Sequence, residues 1–265
     1  MKAKLAAMAI TVGVIFSALG ASALAAAPPV PGRQTSKAAA NQALDREIQH
    51  YLHQQFARRK SLAHVTATVS DRVVTLRGSV PDYRAYLQAG HIARQISSVN
   101  GVIEQLQVNA PTVPDAKLRK QLAERLTYDR MGEGQIFNNL TLQVHDGVVT
   151  VGGNVADYAS RDSALDIIAD TKGVKAVRDH IRVAPTSIFD DQIRFQTARA
   201  IYGNPALRRY ALNPAHPIRI VVNNGHVTLY GVVASQLDRR VAGNAARQVP
   251  GVFSVKNDLV VAAGK

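Results

Sequence analysis

Asp71-Arg-Val-Val-Thr-Leu-Arg-Gly-Ser-Val80 recurs as Asp146-Gly-Val-Val-Thr-Val-Gly-Gly-Asn-Val155 and again as Asn224-Gly-His-Val-Thr-Leu-Tyr-Gly-Val-Val233. Each copy opens on turn residues, continues as an alternating apolar run and carries a glycine near its end. Self-similarity of this kind marks a chain of like structural units, here modules of about 70 residues. Each copy is followed by a helical stretch and then by a second signature: Asn100-Gly-Val-Ile103, Lys172-Gly-Val-Lys175 and Pro250-Gly-Val-Phe253. From Gly78 to Gly101 is 23 residues, but Gly153 to Gly173 and Gly231 to Gly251 are 20 each. That difference predicts about one extra helical turn in the first copy.

Outward from the repeated stretch, the hydrophobic period changes in a fixed order. Leu44, Ile48, Tyr51, Leu52 and Phe56 follow amphipathic-helix spacing, as do Leu118, Leu122 and Leu126 and, more weakly, Ile193, Thr197 and Ile201. Val65, Ala67 and Val69 then alternate with polar residues, and beyond Asp71-Arg72 the alternation resumes with Val74 and Leu76. That is a hairpin, and Asp146-Gly147 and Asn224-Gly225 supply residues that favour positive φ at its turn. Residues 83–98, 156–170 and 235–248 read as a second helix, and 102–108, 174–183 and 252–261 as a last strand.

The order helix, strand, strand, helix, strand has a topological consequence. A strand-helix-strand crossover is right-handed, so the last strand should lie parallel to the second hairpin strand. The fold class is therefore α+β: three tandem modules, each a three-stranded mixed sheet with two helices on one face. Pro111-Thr-Val-Pro114 and Pro185-Thr-Ser187 are linkers, giving modules at 42–110, 115–184 and 188–263. Modules this small are near the lower limit for an independent core, so neighbours are expected to support one another by packing or to be only moderately stable alone. Gly78, Gly153 and Gly231 read as structural, allowing a bulge or a close approach. Gly101, Gly173 and Gly251 read as left-handed helix C-caps.

Residues 1–25 have the form of a cleaved signal peptide. A basic start at Lys2 and Lys4 precedes an apolar run from Leu5 to Leu19 and the small residues Ala23-Leu-Ala25. Residues 26–41, rich in Ala, Pro, Ser and Lys, read as a flexible leader. There is no cysteine, which excludes disulfides and thiolate metal sites. Export without disulfides points to a bacterial periplasm and a soluble mature protein.

The two glycine signatures in this order of elements resemble the BON domain, named for bacterial osmotically inducible and nodulation proteins. Asn224-Gly-His-Val-Thr-Leu-Tyr-Gly231, followed by Arg240, Ala245-Ala246 and Val249-Pro-Gly-Val252, matches best, and the likeness spans about 42–263 in three copies. The resemblance implies a periplasmic or outer-membrane-associated protein of osmotic and envelope stress that binds phospholipid. For some members it implies chaperoning of outer-membrane proteins.

Catalytic chemistry is thin. His50 and His53 lie three apart on the first helix with no further ligand in phase, and the other histidines are scattered away from any nucleophile arrangement. Asp162, Asp166 and Asp170 form an acidic stripe on a helix, read as solvent-exposed. The chain is expected to be non-enzymatic, with no catalytic, metal or cofactor residues.

Charge points to binding instead. Lys and Arg total 32 against 19 Asp and Glu, and loss of Lys2 and Lys4 leaves about +11. Residues 45–110 carry 8 basic and 5 acidic side chains, 115–184 carry 10 and 10, and 190–263 carry 9 and 4. The basic outer copies favour anionic phospholipid or the outer-membrane surface as partner; export makes nucleic acid an unsuitable one. Arg58-Arg59-Lys60, Arg208-Arg209-Tyr210 and Arg239-Arg240 are the candidate phospholipid-binding residues, guanidinium on phosphate and tyrosine ring at head-group depth. The alternative is a chaperone-like factor that holds envelope proteins through module faces and open sheet edges.

Overall fold

The computed structural model describes residues 32–128, 136–211 and 217–262, with side chains from residue 39 onward. The segment read as a signal peptide, residues 1–25, lies outside the described residues. Residues 41–265 make one compact unit. Among the described residues no helix is long and apolar enough to cross a membrane.

Module 1 consists of α1 (Gly32–Ala57), β1 (Val65–Ser70), β2 (Val73–Val80), α2 (Tyr83–Arg94) and β3 (Gly101–Val108). Module 2 repeats the order with α3 (Asp115–Tyr128), β4 (Asn139–His145), β5 (Val148–Val155), α4 (Tyr158–Ala169) and β6 (Ala176–Val183). Module 3 has α5 (Ile188–Tyr202), a one-turn α6 (Arg208–Ala211), β7 (Arg219–Asn223), β8 (His226–Val233), α7 (Gln236–Arg247) and β9 (Ser254–Val261).

The second hairpin strand is central in each sheet, antiparallel to the first strand and parallel to the last, as the crossover rule requires. Alternation explains the single packed face. Val74, Leu76 and Val80 are buried against the helices, while Thr75, Arg77 and Ser79 face away. The hairpins close on type I′ turns with both central residues at positive φ: Asp71 and Arg72, Asp146 and Gly147, Asn224 and Gly225.

A carboxylate on the first helix clamps each of these turns. Asp45 accepts from the N–H groups of Asp71 (2.9 Å) and Arg72 (2.8 Å), Asp115 from Asp146 (2.8 Å) and Gly147 (3.1 Å), and Asp190 from Asn224 and Gly225 (2.8 Å each). The three aspartates precede their turns by different intervals, so the repetition hides in sequence and appears only in space.

Three expectations change. α1 starts at Gly32, inside the segment read as a flexible leader, because Ala38-Ala39-Ala40 and Gln42-Ala43 are strong helix formers even without an apolar period. The second helices are of equal length, 12 residues each, so copy one has no extra turn. The third change concerns the glycines. Asn100 N–H donates to the Arg72 carbonyl as Lys175 does to Gly147 and Phe253 to Gly225, so Ser98 is the spatial counterpart of Gly173 and Gly251. Gly101 has no positive φ and simply begins β3. Nor do Gly173 and Gly251 cap helices: the C-cap residues are Asp170 and Gln248, and the glycines take positive φ in the next turn, closed by Val174 N–H to Thr171 O and Val252 N–H to Val249 O.

Neighbouring modules share their cores. Tyr83 of module 1 packs on the small module 2 core built from Leu118, Leu122, Val149, Val151 and Ile168. Phe137 of module 2 is buried in the module 3 core, edge-on to Phe195 at 5.2 Å. The acidic stripe is partly an inter-module lock: Arg84 forks onto Asp170 (2.6 and 2.8 Å) and reaches Asp166 (2.9 Å).

Two carboxyls in these contacts titrate below their usual range, Asp170 because Arg84 donates to it and Asp115 because the Asp146 and Gly147 amides do. A carboxyl depressed in the fold stabilises it above the unfolded value of about 3.9, and that contribution is lost as pH falls through the lower folded value. We expect the urea midpoint to fall on acidification below about pH 4, and Asp170→Asn to shrink that fall. An identical pH profile in the variant would remove Asp170 from this account.

Candidate functional site

The basic residues singled out from sequence do not form one open patch. Tyr210 is buried, its hydroxyl donating to Asp238 at 2.7 Å and accepting from the Ala234 N–H at 2.7 Å. Its ring therefore belongs to the core and not to a head-group layer. Arg209 lies over that ring, 5.2 Å from the centroid, and pairs with Asp238. Burial alone would push the Asp238 carboxyl up, but the hydrogen bonds from Tyr210, Arg209 and Ser235 outweigh it and hold it low. Arg239 is tied to β9 through the Asn257 carbonyl at 2.9 Å, and Arg59 folds back on Gln55. Arg208, Arg240, Arg58 and Lys60 stay exposed. Arg209 answers a buried carboxylate, and that partner is 29 residues away in sequence.

What module 3 does expose lies at its other end. Ile188, Phe189 and Phe253 are 75%, 78% and 78% exposed, although every one is a large apolar side chain. Phe189 sits in the first turn of α5, and Phe253 directly precedes β9, its ring laid over Gly225 of the hairpin turn. Phe189 and Phe253 flank a groove of about 550 Å³ with Ile193 and Gln196 on one wall and Pro250 and Gly251 on the other. Asp190, clamping the turn, forms the floor.

The groove continues. Gln196 and Pro250 also line a second hollow of about 520 Å³ between α5 and the C-terminal end of α7, with Arg199, Ala200, Ala245 and Val249. Phe189, Gln196 and Arg199 thus lie on one stripe of α5, Phe189 and Arg199 about 15 Å apart at 1.5 Å per residue. Arg199 is exposed and its side chain has no hydrogen bond or ion pair with another described residue. The site is amphipathic: a free guanidinium at one end and two uncovered aromatic rings at the other. The Arg208–Arg240 region adjoins the opposite end of α7, a helix of about 18 Å, so the two features are separate.

Sequence reasoning missed this groove. Phe189 is in phase with Ile193, Thr197 and Ile201, and periodicity alone would bury it. The available signal was Phe253, an aromatic where the equivalent positions hold Lys175 and Asn100. In module 2 the equivalent hollow is only about 180 Å³, closed by Val113, Pro114 and Lys175. Among the described residues no three His, Asp or Glu side chains gather to hold a metal.

Known proteins place these modules in a family. The BON domain model matches residues 41–110, 114–185 and 190–263. The chain belongs to the BON domain family. Osmotically-inducible protein Y of Escherichia coli (strain K12) is 29% identical over 123 residues, a match covering 46% of this BON protein and 61% of that one. Two solved structures of CdsD, a structural protein of the type III secretion system of Chlamydia trachomatis, also align. One covers 84% of this chain and 94% of its own, the other 83% and 98%, both at 15% identity and a TM-score of 0.24.

Proposed function

We propose that this BON protein is a non-enzymatic periplasmic factor of osmotic and envelope stress that binds anionic phospholipid through the module 3 groove. Phe189 and Phe253 would enter the acyl region while Arg199 meets the head-group phosphate. The observation that carries this reading is the pairing of unpartnered Arg199 with uncovered Phe189 on one stripe of α5, with uncovered Phe253 lining the same groove. Similarity to an osmotically inducible protein supports the stress assignment.

Magnitudes decide which part of the site dominates. A phenylalanine taken out of water contributes roughly 1.5–3 kcal/mol, and one arginine at an anionic surface about 1 kcal/mol. Attachment should then be led by the aromatic pair and only moderately weakened by salt.

Co-sedimentation with vesicles, with and without phosphatidylglycerol, tests this. The expected result is pelleting that favours the anionic vesicles and falls at least about tenfold in Phe189→Ser/Phe253→Ser. Arg199→Glu should weaken it less, and Arg208→Ala/Arg240→Ala least. No pelleting of the native protein at low salt, or undiminished pelleting of the double serine variant, would sink the proposal. Groove-dependent capture of an unfolded outer-membrane protein, without vesicle binding, would favour the chaperone-like alternative.

A further inference from the structure

The net neutrality of module 2 conceals a separation of charge. β6 presents Arg178, His180 and Arg182 on the face turned away from the helices, all three exposed. Alternate residues on a strand are about 6.6 Å apart, so these side chains form a row about 13 Å long. The row lies on an outer strand of its sheet. Their neighbours on β5 are Thr150, Gly152 and Asn154, and β4 adds Thr141 and Gln143 on the same face.

No carboxylate stands within these rows. Asp162, Asp166 and Asp170 lie on α4, and Asp179 turns to the helix side, where Arg161 reaches it at 2.5 Å. None of the three β6 side chains has a hydrogen bond or ion pair with another described residue. The other copies lack this arrangement. In module 1 the equivalent row is Ile103, Gln105 and Gln107, with Arg77 bonded to Gln105 at 2.9 Å; in module 3 it is Lys256, Asp258 and Val260, with Lys256 paired to Asp258 at 2.8 Å.

We infer that this open face of module 2 binds a linear acidic polysaccharide, its carboxylates on Arg178, His180 and Arg182 and its hydroxyls on Thr150, Asn154, Thr141 and Gln143. Guanidinium forks match carboxylates in two-bond geometry. The hydroxyl and amide side chains beside them suit sugar hydroxyls, and Gly152, without a side chain, leaves a shallow place where a chain can approach the sheet. The alternatives fit less well. These rows hold no Phe, Tyr or Trp on which nucleic-acid bases could stack, and no large apolar side chain to enter a bilayer. The site is independent of the module 3 groove.

Fluorescence anisotropy of the full chain with fluorescein-labelled alginate oligosaccharides tests it. The expected result is binding that weakens with salt and is absent for neutral dextran oligosaccharides. Arg178→Ala/Arg182→Ala, changing only exposed side chains, should weaken it at least about tenfold. Arg208→Ala/Arg240→Ala and Phe189→Ser/Phe253→Ser should leave it unchanged, which separates its fate from that of the lipid site. The inference is overturned by no alginate binding at low salt or by equal binding in the double alanine variant. Tighter binding of a single-stranded oligonucleotide or of anionic vesicles through the same two arginines overturns it as well.

Discussion

Gly153→Ala is expected to lower the stability of the protein by about 3 kcal/mol or more. The residue sits at φ +105, and an added Cβ would come within 2.0 Å of the Asn139 carbonyl oxygen and 3.0 Å of its carbon. Both obstacles are backbone atoms at the start of the partner strand, so no side-chain rotation relieves them. Gly78 repeats the geometry in module 1, at φ +117 and 1.9 Å from the His64 carbonyl oxygen. In module 3 the contact is looser, 2.7 Å from Gly231 to the Pro217 oxygen. The three alanine variants should therefore rank, with Gly78→Ala and Gly153→Ala more damaging than Gly231→Ala. At about 2–4 °C per kcal/mol for a unit of this size, the first two should melt roughly 6–12 °C early by circular dichroism. A Gly153→Ala protein melting with the native one would show that the strand entrance relaxes freely.

Those glycines were legible because they recur at one interval from a repeated turn. The sheet order was legible for a related reason: alternation and helical period record which side of each element is covered, and chirality leaves one topology. The second glycine signature misled because residue identity and spatial position part company in copy one, where Ser98 stands in for glycine and a glycine falls three residues later. Contacts between modules left no trace in the repetition. Tyr83, Arg84 and Phe137 each bridge two copies and have no reason to recur in all three.

The candidate site was legible only in its general character. Runs such as Arg208-Arg209-Tyr210 and Arg239-Arg240 catch the eye as a surface, but Asp238 draws Arg209 and Tyr210 inward and Asn257 holds Arg239. Conversely, Arg178, His180 and Arg182 alternate with apolar or acidic residues and form a row only on a strand. Net charge per module says nothing about which charges remain free.

Asp190→Ala is the second large loss to expect, and it ties fold to site. The carboxylate is 2% exposed and receives both turn amides, of which the Gly225 N–H is itself buried. Alanine leaves two donors unanswered at roughly 1–3 kcal/mol each, so a loss of about 3 kcal/mol follows. Asp190→Asn, which keeps an acceptor oxygen without the charge, should lose about half as much. Asp45→Ala, at a half-exposed version of the same clamp, should lose less than Asp190→Ala. The consequence reaches the groove because Phe253 donates its N–H to the Gly225 carbonyl at 2.9 Å and lays its ring over that turn. Loosening the turn should let Phe253 drift, so vesicle binding should fall in folded Asp190→Ala protein and hold in Asp45→Ala. Native stability in Asp190→Ala would refute the clamp. Native vesicle binding in a destabilised Asp190→Ala protein would show that Phe253 is held by something other than the turn beneath it.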